Sequence, residues 1–359
     1  MTNIASELKA IEALIPVFKH DRNYWLLRTD GGDHFQDFTQ NKYVAIGYNY
    51  LKLDYINNIL SKNKKVRDAI STLKRAIDTS DKEENRPKYV ATQLINFVDG
   101  IMKDDIIIIP SHGSEYFSIG EVIDDTAYSQ TPESVNSAKI KGYFPCRYEK
   151  RRKIKWLKTC SRYQGGSELF SIFFYHGTLL KINEHAQYID PLINTFYVKG
   201  DKAHLNIKID TTTQIKGNDF FLFGSDLFTT LDDFAEENEL ENNSDNIITK
   251  VKVRSQGHIE LIDNLQTVLI IGAIVVGLAG GAMTFKTNDA AMGINSPGII
   301  ERIRKFLDSS AARRKKKEAA QRRMESLKAK PPIELTENLK KSNKSKKKSN
   351  KNNNKKNKN

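Results

Sequence analysis

The chain has 359 residues, of which 39% are hydrophobic and 28% are charged, enough for more than one domain with a core of its own. Its net charge of +13 is unevenly distributed. Residues 286–359 hold 23 Lys and Arg against 7 Asp and Glu, a net charge of +16, so residues 1–285 carry a net charge of −3. The overall charge is therefore no argument that the folded body binds nucleic acid, although a local basic patch would suffice.

The cysteine and histidine patterns exclude the common metal and disulfide classes. Cys146 and Cys160 form no CxxC motif, and the seven histidines are scattered along the chain. We expect reduced thiols, no metal site and no cofactor. The N-terminus has no basic stretch followed by an apolar core, so we expect no secretory signal and a cytoplasmic location.

The first 190 residues are predicted to form one domain of mixed helices and strands. Apolar residues at helical spacing predict a helix over residues 1–19. The later elements, in chain order, are a strand over 23–29, a turn at Gly31-Gly32, a short helix over 33–42, a strand over 43–47, helices over 54–79 and 88–100, a buried strand over 104–110, a turn over 111–114, a strand over 115–124, two strands joined by a basic bend within 143–158, and a short helix and a strand within 167–185.

Residues 191–263 are predicted to form a second, small α+β domain. Its elements are a strand over 203–210, a helix over 220–236, a polar loop over 237–246 and strand-like alternation over 250–262. Ser296-Pro297 predicts the start of a helix that continues to about Lys330 and becomes basic after Ala312. Residues 331–359 are rich in Lys and Asn and are expected to be disordered, with non-specific contact to nucleic acid or anionic lipid as an alternative to a solubilising role.

Residues 264–285 contain no charged side chain over 22 residues, which is long enough for a transmembrane helix. Ala273, Gly277 and Gly281 recur at a spacing of four, a pattern that lets helices pack closely. The basic C-terminus, however, would place the N-terminal domain outside the cell if this segment spanned a membrane. Two interpretations remain: membrane association, or burial in the core or in a homo-oligomer. In the buried form, a helix would end near Leu278 and a strand would follow over 282–287.

Four segments occur in an order that is typical of one superfamily. They are YWLLR, YVAIGYN, DDIIIIP with a turn and FSIGEV, and RRKIKWL. Together they resemble the PUA-like superfamily, and more narrowly the EVE-type modules of prokaryotic restriction and defence proteins. The family usually has Trp after the Ile-Gly pair, where this chain has Tyr48, another flat ring that can stack.

The resemblance implies a bent β-barrel with a pocket at its mouth that binds a flipped base of DNA or RNA. Flipping costs a few kcal/mol, and stacking on an aromatic ring returns about 1–3 kcal/mol per base. Each residue of the implied site also has a structural interpretation, as core or as solvated surface. The implied site consists of the stacking rings Trp25, Tyr48, Phe117 and Trp156, the base-edge contacts Ser111 and His112, and the phosphate contacts Arg147, Arg151, Arg152, Lys153 and Lys155.

No catalytic motif is present in the sequence, so we lean against an enzyme. Asp232, Asp233, Glu236 and Glu237 are expected to form the polar face of a helix. Three functions fit. The first is a nucleic-acid sensor whose C-terminal half oligomerises or acts on a membrane, with anti-phage defence suggested by analogy. The second is the targeting half of a nuclease whose catalytic part is a separate effector protein. The third is a membrane-anchored scaffold that binds protein.

Overall fold

The computed structural model describes residues 4–13, 15–80, 84–131, 142–164, 166–210, 214–241, 243–252, 257–279 and 297–331. These residues form a mixed α+β protein, which is the fold class that the sequence predicted. The chain divides into an N-terminal unit, Asp21–Ile193, and a C-terminal unit made of Met1–His20 and Asn194–Asn359.

Eleven α-helices and thirteen strands lie within the described residues. The helices are α1 Ile4–Glu12, α2 Phe35–Asn41, α3 Leu53–Lys62, α4 Val66–Asp78, α5 Pro87–Ile95, α6 Gly166–Phe170, α7 Ala186–Ile193, α8 Gly217–Glu237, α9 Leu265–Leu278, α10 Pro297–Asp308 and α11 Ala311–Ser326. The strands are β1 Val17–Phe18, β2 Tyr24–Leu27, β3 Tyr43–Ile46, β4 Ile106–Pro110, β5 Tyr116–Val122, β6 Tyr128–Ser129, β7 Lys150–Ser161, β8 Leu179–Lys181, β9 Phe196–Lys199, β10 Lys202–Ile209, β11 Ile248–Lys252, β12 Gly257–Asp263 and β13 Ala329–Lys330.

The N-terminal unit is built on a sheet that curls into a half-barrel, with strand order β3-β7-β5-β4-β2-β8 and β6 paired to β7. β2 and β4 are parallel, and the other neighbours are antiparallel. Side chains of β4 alternate between two cores. Ile107 and Ile109 pack in the core that contains residues of α3–α5, whereas Ile106 and Ile108 pack in the core that contains residues of α6 and α7. A central strand covered on both faces must be apolar throughout, which explains the run of isoleucines.

A β-bulge in β7 gives this sheet part of its curl. Gly120 pairs with Trp156 and Ile119 pairs with Lys158, so Leu157 is the extra residue. A Cβ at Gly120 would lie 2.3 Å from Ile154 Cγ2 and 2.7 Å from Trp156 Cε3, so only glycine fits opposite the bulge. The extra residue also reverses the faces: Ile154 packs in the α3–α5 core and Cys160 in the α6–α7 core.

The C-terminal unit packs helices on a second sheet, with order β1-β9-β10-β12-β11 and β13 paired to β10. α9 lies at its centre, with Val268–Val276 buried, and begins at the cap Asn264, whose side chain accepts from the Thr267 amide. α1, which we had placed in the N-terminal domain, shares this core. The separate domain predicted over 191–263 is likewise part of this larger unit, because its sheet needs α1, α9, α10 and α11 to cover it.

Four predicted elements differ from the structure. The predicted helix over 54–79 is interrupted between α3 and α4, and the alternation over 250–262 is a hairpin of β11 and β12. The predicted basic bend within 143–158 is instead the first part of the single strand β7. The helix from Pro297 ends at Asp308, and Ser310 caps a new helix by accepting from the Arg313 amide.

The basic helix α11 lies against the acidic helix α8. Arg313 pairs with Glu237 at 2.6 Å and Lys316 with Asp233 at 3.3 Å. Arg323 pairs with Asp226 as well, so the two helices run in opposite directions along this row of ion pairs. Three cations of the segment predicted as a basic helix are therefore paired with carboxylates inside the unit.

The apolar segment forms a shorter helix than the membrane interpretation requires. α9 ends at Leu278, as the buried-core alternative predicted, and Ala273 is fully buried. A Cβ on Gly277 would lie 3.3 Å from Ile303, so the missing side chain lets α10 approach α9. Among the described residues, none of the helices combines the length and the apolar character that a membrane crossing needs. Gly281, the strand predicted over 282–287 and the tail from residue 332 lie outside the described residues.

Candidate functional site

Five loops of the N-terminal unit lie close together beside the curled sheet, where the ring of His34 contacts that of Tyr148. We call this region the mouth; it comprises residues 28–34, 47–50, 111–114, 147–149 and 175–178. The loops are joined by hydrogen bonds: Thr29 Oγ1 donates to the Pro110 carbonyl (2.6 Å), Arg28 N to the Thr178 carbonyl (2.8 Å) and Asn49 Nδ2 to the Arg147 carbonyl (2.8 Å). The sheet therefore fixes a set of side chains that are far apart in sequence.

Tyr48 is held at the mouth in a strained backbone conformation. Its φ angle is +59°, a left-handed value that bulky residues rarely adopt. Its carbonyl accepts from Leu51 N (3.0 Å) and from the buried Lys150 Nζ (2.9 Å), and Lys150 Nζ also donates to the Leu51 carbonyl (3.0 Å). Such strain persists only where the surroundings over-determine it, and it concentrates at functional sites.

Several aromatic rings lie around the half-buried Tyr48 side chain. Its hydroxyl group is hydrogen-bonded to Thr178, whose amide also donates to Tyr89 Oη (2.7 Å). The ring of Tyr50 lies edge-on to that of Tyr48, with 6.5 Å between centroids. Tyr148 lies edge-on to His34 at 4.9 Å. Burial raises the pKa of Tyr48 and raises that of Tyr148 to about 12, so both hydroxyls stay neutral and can donate or accept at physiological pH.

The mouth also contains polar groups with unused hydrogen-bonding capacity. His34 Nδ1 is buried and has no hydrogen-bond partner among the described residues. Burial lowers the pKa of His34, against the opposing effect of Asp30, and so favours a neutral ring that offers one donor and one acceptor. Asp30 itself has a left-handed φ of +53° and an exposed carboxylate. This mixture of rings, a donor and acceptors suits a flat ligand with a polar edge.

Ser111 and His112 lie at the mouth as predicted, but they are partly committed to its structure. Ser111 Oγ accepts from Tyr116 N at 2.9 Å. The backbone of His112 lies so close to Gly32 that a Cβ there would be 2.2 Å from His112 N. The imidazole of His112 is exposed. His112 is therefore available to a ligand, whereas Ser111 supports the turn.

Three of the four predicted stacking rings have structural roles. Trp25 is 3% exposed and its Nε1 donates to Asp105 Oδ2 (2.9 Å), a carboxylate that also accepts from Met102 N. Phe117 is fully buried, and the half-buried Trp156 donates from Nε1 to the Phe38 carbonyl (2.8 Å). A buried ring has no free face for a base, so the candidate site does not include Trp25 or Phe117, and Trp156 contributes only its half-exposed surface.

The predicted phosphate contacts divide into two groups. Arg147, Lys153 and Lys155 are exposed. Arg151 is buried and donates to the Tyr148 and Cys146 carbonyls, with its guanidinium 4.2 Å from the Tyr43 ring centroid. Arg152 is fully buried and donates to the carbonyls of Phe97 (3.1 Å) and Val98 (2.5 Å). Arg151 and Arg152 cannot reach a phosphate, because both are used to satisfy carbonyls.

Sequence reasoning found Tyr48 but missed most of its surroundings. Tyr148 and His34 are separated from Tyr48 by long stretches of sequence and carry no motif. Lys150 belongs to a basic run that looked like solvated surface. Only the pair of tyrosines at 48 and 50, directly after a strand, gave a local signal.

The fold and the mouth together define a mixed α+β domain with an aromatic and polar cluster beside a curled sheet. A family model described as a domain of unknown function (DUF8426) matches residues 24–178, from the first residue of β2 to the residue before β8. The matched segment thus contains all five loops of the mouth. A search of curated proteins finds no significant match.

Proposed function

We propose that the N-terminal unit is a PUA-like nucleic-acid reader that holds a single, flipped base at the mouth. The observation that carries this proposal is Tyr48, whose carbonyl is held by Lys150 Nζ and Leu51 N in a left-handed backbone conformation that tyrosine disfavours, while its ring stays half-exposed. A preformed aromatic surface loses little entropy on binding, so stacking contributes nearly its full value.

The groups beside Tyr48 have the chemistry that base recognition needs. Neutral His34 and the hydroxyls of Tyr48 and Tyr148 offer both donors and acceptors, and Asp30 offers an acceptor. A base presents the same mixture along its edge, and a flipped base exposes that edge fully. The exposed cations Arg147, Lys153 and Lys155 are available for the backbone phosphates.

The proposal assigns no membrane or oligomer contact to the apolar segment. The described part, α9, is covered by its own unit. Entry into a membrane or into a second copy would first require that core to open, which would expose a run of fully buried apolar side chains to water.

The test is binding by the full-length chain to short fluorescent oligonucleotides, single- and double-stranded DNA and RNA, plain and base-modified, measured by anisotropy. Tyr48→Asn removes the ring while Asn tolerates the left-handed backbone. We expect a loss of about 10- to 100-fold in affinity for the preferred ligand. Tyr55→Ala is the matched control, because Tyr55 is an exposed tyrosine on α3, 44% accessible, and should bind as the wild type does.

Salt separates specific binding from the background of the basic C-terminus. Phosphate contacts weaken steeply with salt, whereas base stacking does not. If every oligonucleotide binds with the same steep salt dependence, and Tyr48→Asn is no weaker than Tyr55→Ala, the proposal is wrong.

A further inference from the structure

A second group of aromatic side chains is exposed beside the mouth. Tyr163 is 77% exposed and Phe174 is 65% exposed. The half-buried Phe170 lies edge-on to Phe174, with 5.0 Å between their centroids. We call these three rings, together with Arg162, the aromatic platform.

Arg162 organises the platform and connects it to the mouth. Its guanidinium lies 5.3 Å from the centroid of Phe170 and 6.0 Å from that of Tyr163. Its Nη2 donates to the carbonyl of Gly113 at 2.6 Å, and its backbone amide donates to the carbonyl of Glu115 at 2.9 Å. Gly113 follows His112 in the mouth, so the two regions share one turn.

A second set of hydrogen bonds joins the platform to the first loop of the mouth. Arg28 Nη2 donates to the carbonyls of Phe173 and Tyr175, both at 2.6 Å. Arg28 begins the first loop of the mouth, and these carbonyls flank the exposed Phe174. The platform is therefore held at a fixed position relative to the mouth, inside the same unit.

We infer that the aromatic platform stacks the unpaired nucleotides adjacent to the base at the mouth, so that the ligand is single-stranded nucleic acid. This inference rests on the proposed function of the mouth. Every base has two faces that stack on aromatic rings, and a guanidinium between rings adds a cation for the phosphate that follows. In a duplex the base faces are already stacked on one another, so a duplex gains nothing from exposed rings.

The platform's position beside the mouth favours this occupant over a second protein surface. Protein interfaces also use aromatic rings and arginine as anchors, so it is the hydrogen-bonded continuity with the mouth that distinguishes the two. Here, a cation lies among the rings and the neighbouring His112 is exposed. Rings interleaved with cations along a path to a base-sized site are the pattern of single-strand binding.

The experiment compares two ligands on the full-length chain. One is a nucleoside monophosphate of the preferred base, which has no adjacent nucleotide to stack on the platform, and the other is a single-stranded oligonucleotide that contains the same base. In the double variant Tyr163→Ser/Phe174→Ser, we expect the affinity for the oligonucleotide to fall roughly tenfold or more, while the monophosphate binds unchanged. Tyr48→Asn should weaken both. Phe221→Ser, which removes a 74% exposed ring from α8 in the other unit, is the matched control and should change neither.

The outcomes separate the two proposals. If the double variant binds the oligonucleotide as well as the wild type does, the platform inference is overturned and the mouth is unaffected. If Tyr48→Asn leaves both ligands unchanged, the mouth proposal fails, and the inference fails with it. A shift in oligomeric state or in vesicle binding, without loss of oligonucleotide binding, would identify another occupant and overturn the inference. Arg162→Gln provides a second test that keeps the rings, and we expect it to weaken the oligonucleotide alone.

Discussion

Two basic runs that look alike in sequence are used in different ways. At the start of β7, Lys150 and Arg152 are buried and donate to backbone carbonyls, and Arg152 Nη1 also lies 3.7 Å from Asp124 Oδ1. On α11, Arg313, Lys316 and Arg323 remain partly exposed and pair with carboxylates of α8. The two runs therefore differ in burial, and Lys150 differs also in that its hydrogen-bond acceptors are carbonyls, which do not neutralise its charge.

The difference in burial between the two runs shows which basic residues of this chain affect stability most. A buried cation has lost its hydration, so removing or titrating it changes the folded state strongly. Exposed ion pairs are screened by water and salt and contribute little each. We therefore expect substitutions on β7 to have much larger effects than equivalent substitutions on α11. Both tryptophans, Trp25 and Trp156, lie in the N-terminal unit, so their fluorescence reports the unfolding of that unit alone.

The largest effect is expected for Arg152→Met. This change leaves the carbonyls of Phe97 and Val98, at the π-helical turn after α5, without their donors. We expect the N-terminal unit to lose about 3 kcal/mol of unfolding free energy, measured by urea titration with tryptophan fluorescence. Lys153→Met, at the exposed neighbouring position, should change it by less than about 0.5 kcal/mol. Equal effects of the two changes would contradict the distinction between buried and exposed cations.

Lys150 should make stability depend on pH. Burial lowers the pKa of Lys150 from 10.5 to about 8. Between these values the unfolded chain binds a proton that the folded chain does not, so the unfolding free energy should rise with pH, by up to about 1.4 kcal/mol per pH unit. Burial raises the pKa of the Cys146 and Cys160 thiols, which opposes the rise above about pH 9. Burial also raises the pKa of Tyr43 and Tyr148, which opposes it above about pH 10, so the useful window is about pH 8 to 9.

Lys150→Met tests this dependence directly. The variant should lack the rise between about pH 8 and 9 in urea titrations, whatever its stability at neutral pH. Lys155→Met, which changes an exposed lysine on the same strand, should retain the rise. Parallel pH profiles for the wild type and Lys150→Met would show that Lys150 stays protonated in the folded unit.

The smallest effect is expected for the ion pair between Arg323 and Asp226, whose side chains are each about one-fifth exposed. A double-mutant cycle with Arg323→Ala and Asp226→Ala should give a coupling energy of about 0.5–1 kcal/mol that falls as salt is added. Hydrogen exchange of the α8 and α11 amides provides the measurement, since the C-terminal unit has no tryptophan. A cycle between Asp226 and the exposed Arg314 should give no coupling. A coupling energy that does not change with salt would contradict this prediction, because it would mean that the Arg323–Asp226 pair is shielded from solvent as the buried cations of β7 are.

Local patterns predicted the elements better than they predicted their partners. The apolar run of residues 106–109 identified β4, and the residues before Gly47 identified β3, because burial on a strand leaves a mark in the sequence. α1 could not be assigned to its unit from sequence, since its partners in the C-terminal core are about 200 residues away. The predicted helix from Pro297 continued too far because serine also occurs inside helices, whereas here Ser310 caps α11 and so separates it from α10.

The packing partners of a residue are not visible in the sequence, and this also explains which predicted site residues proved to be buried. The Ile-Gly-Tyr segment led to Tyr48, and the resemblance to PUA-like modules led to the turn at 111–112. Trp25 and Phe117 were plausible stacking rings because an aromatic residue in a strand looks the same whether it faces a core or a pocket. Their contacts show that both rings belong to the core: Asp105 accepts a hydrogen bond from Trp25, and Phe173 packs on Phe117 with 5.4 Å between centroids.

The bulge at Leu157 gives β7 an unusual sensitivity to chain length. With the extra residue, Ile154 lies on one face and Cys160 on the other; without it, both would point into the same core. Strands generally tolerate a change of side chain better than a change of length, and at the bulge of β7 we expect this difference to be especially large. Replacing Leu157 would alter one contact, whereas deleting it would exchange the inward and outward side chains of the rest of the strand, including Cys160 and the approach to Arg162. Natural relatives of this domain should therefore vary in the identity of this residue far more readily than in the number of residues between Trp156 and Cys160.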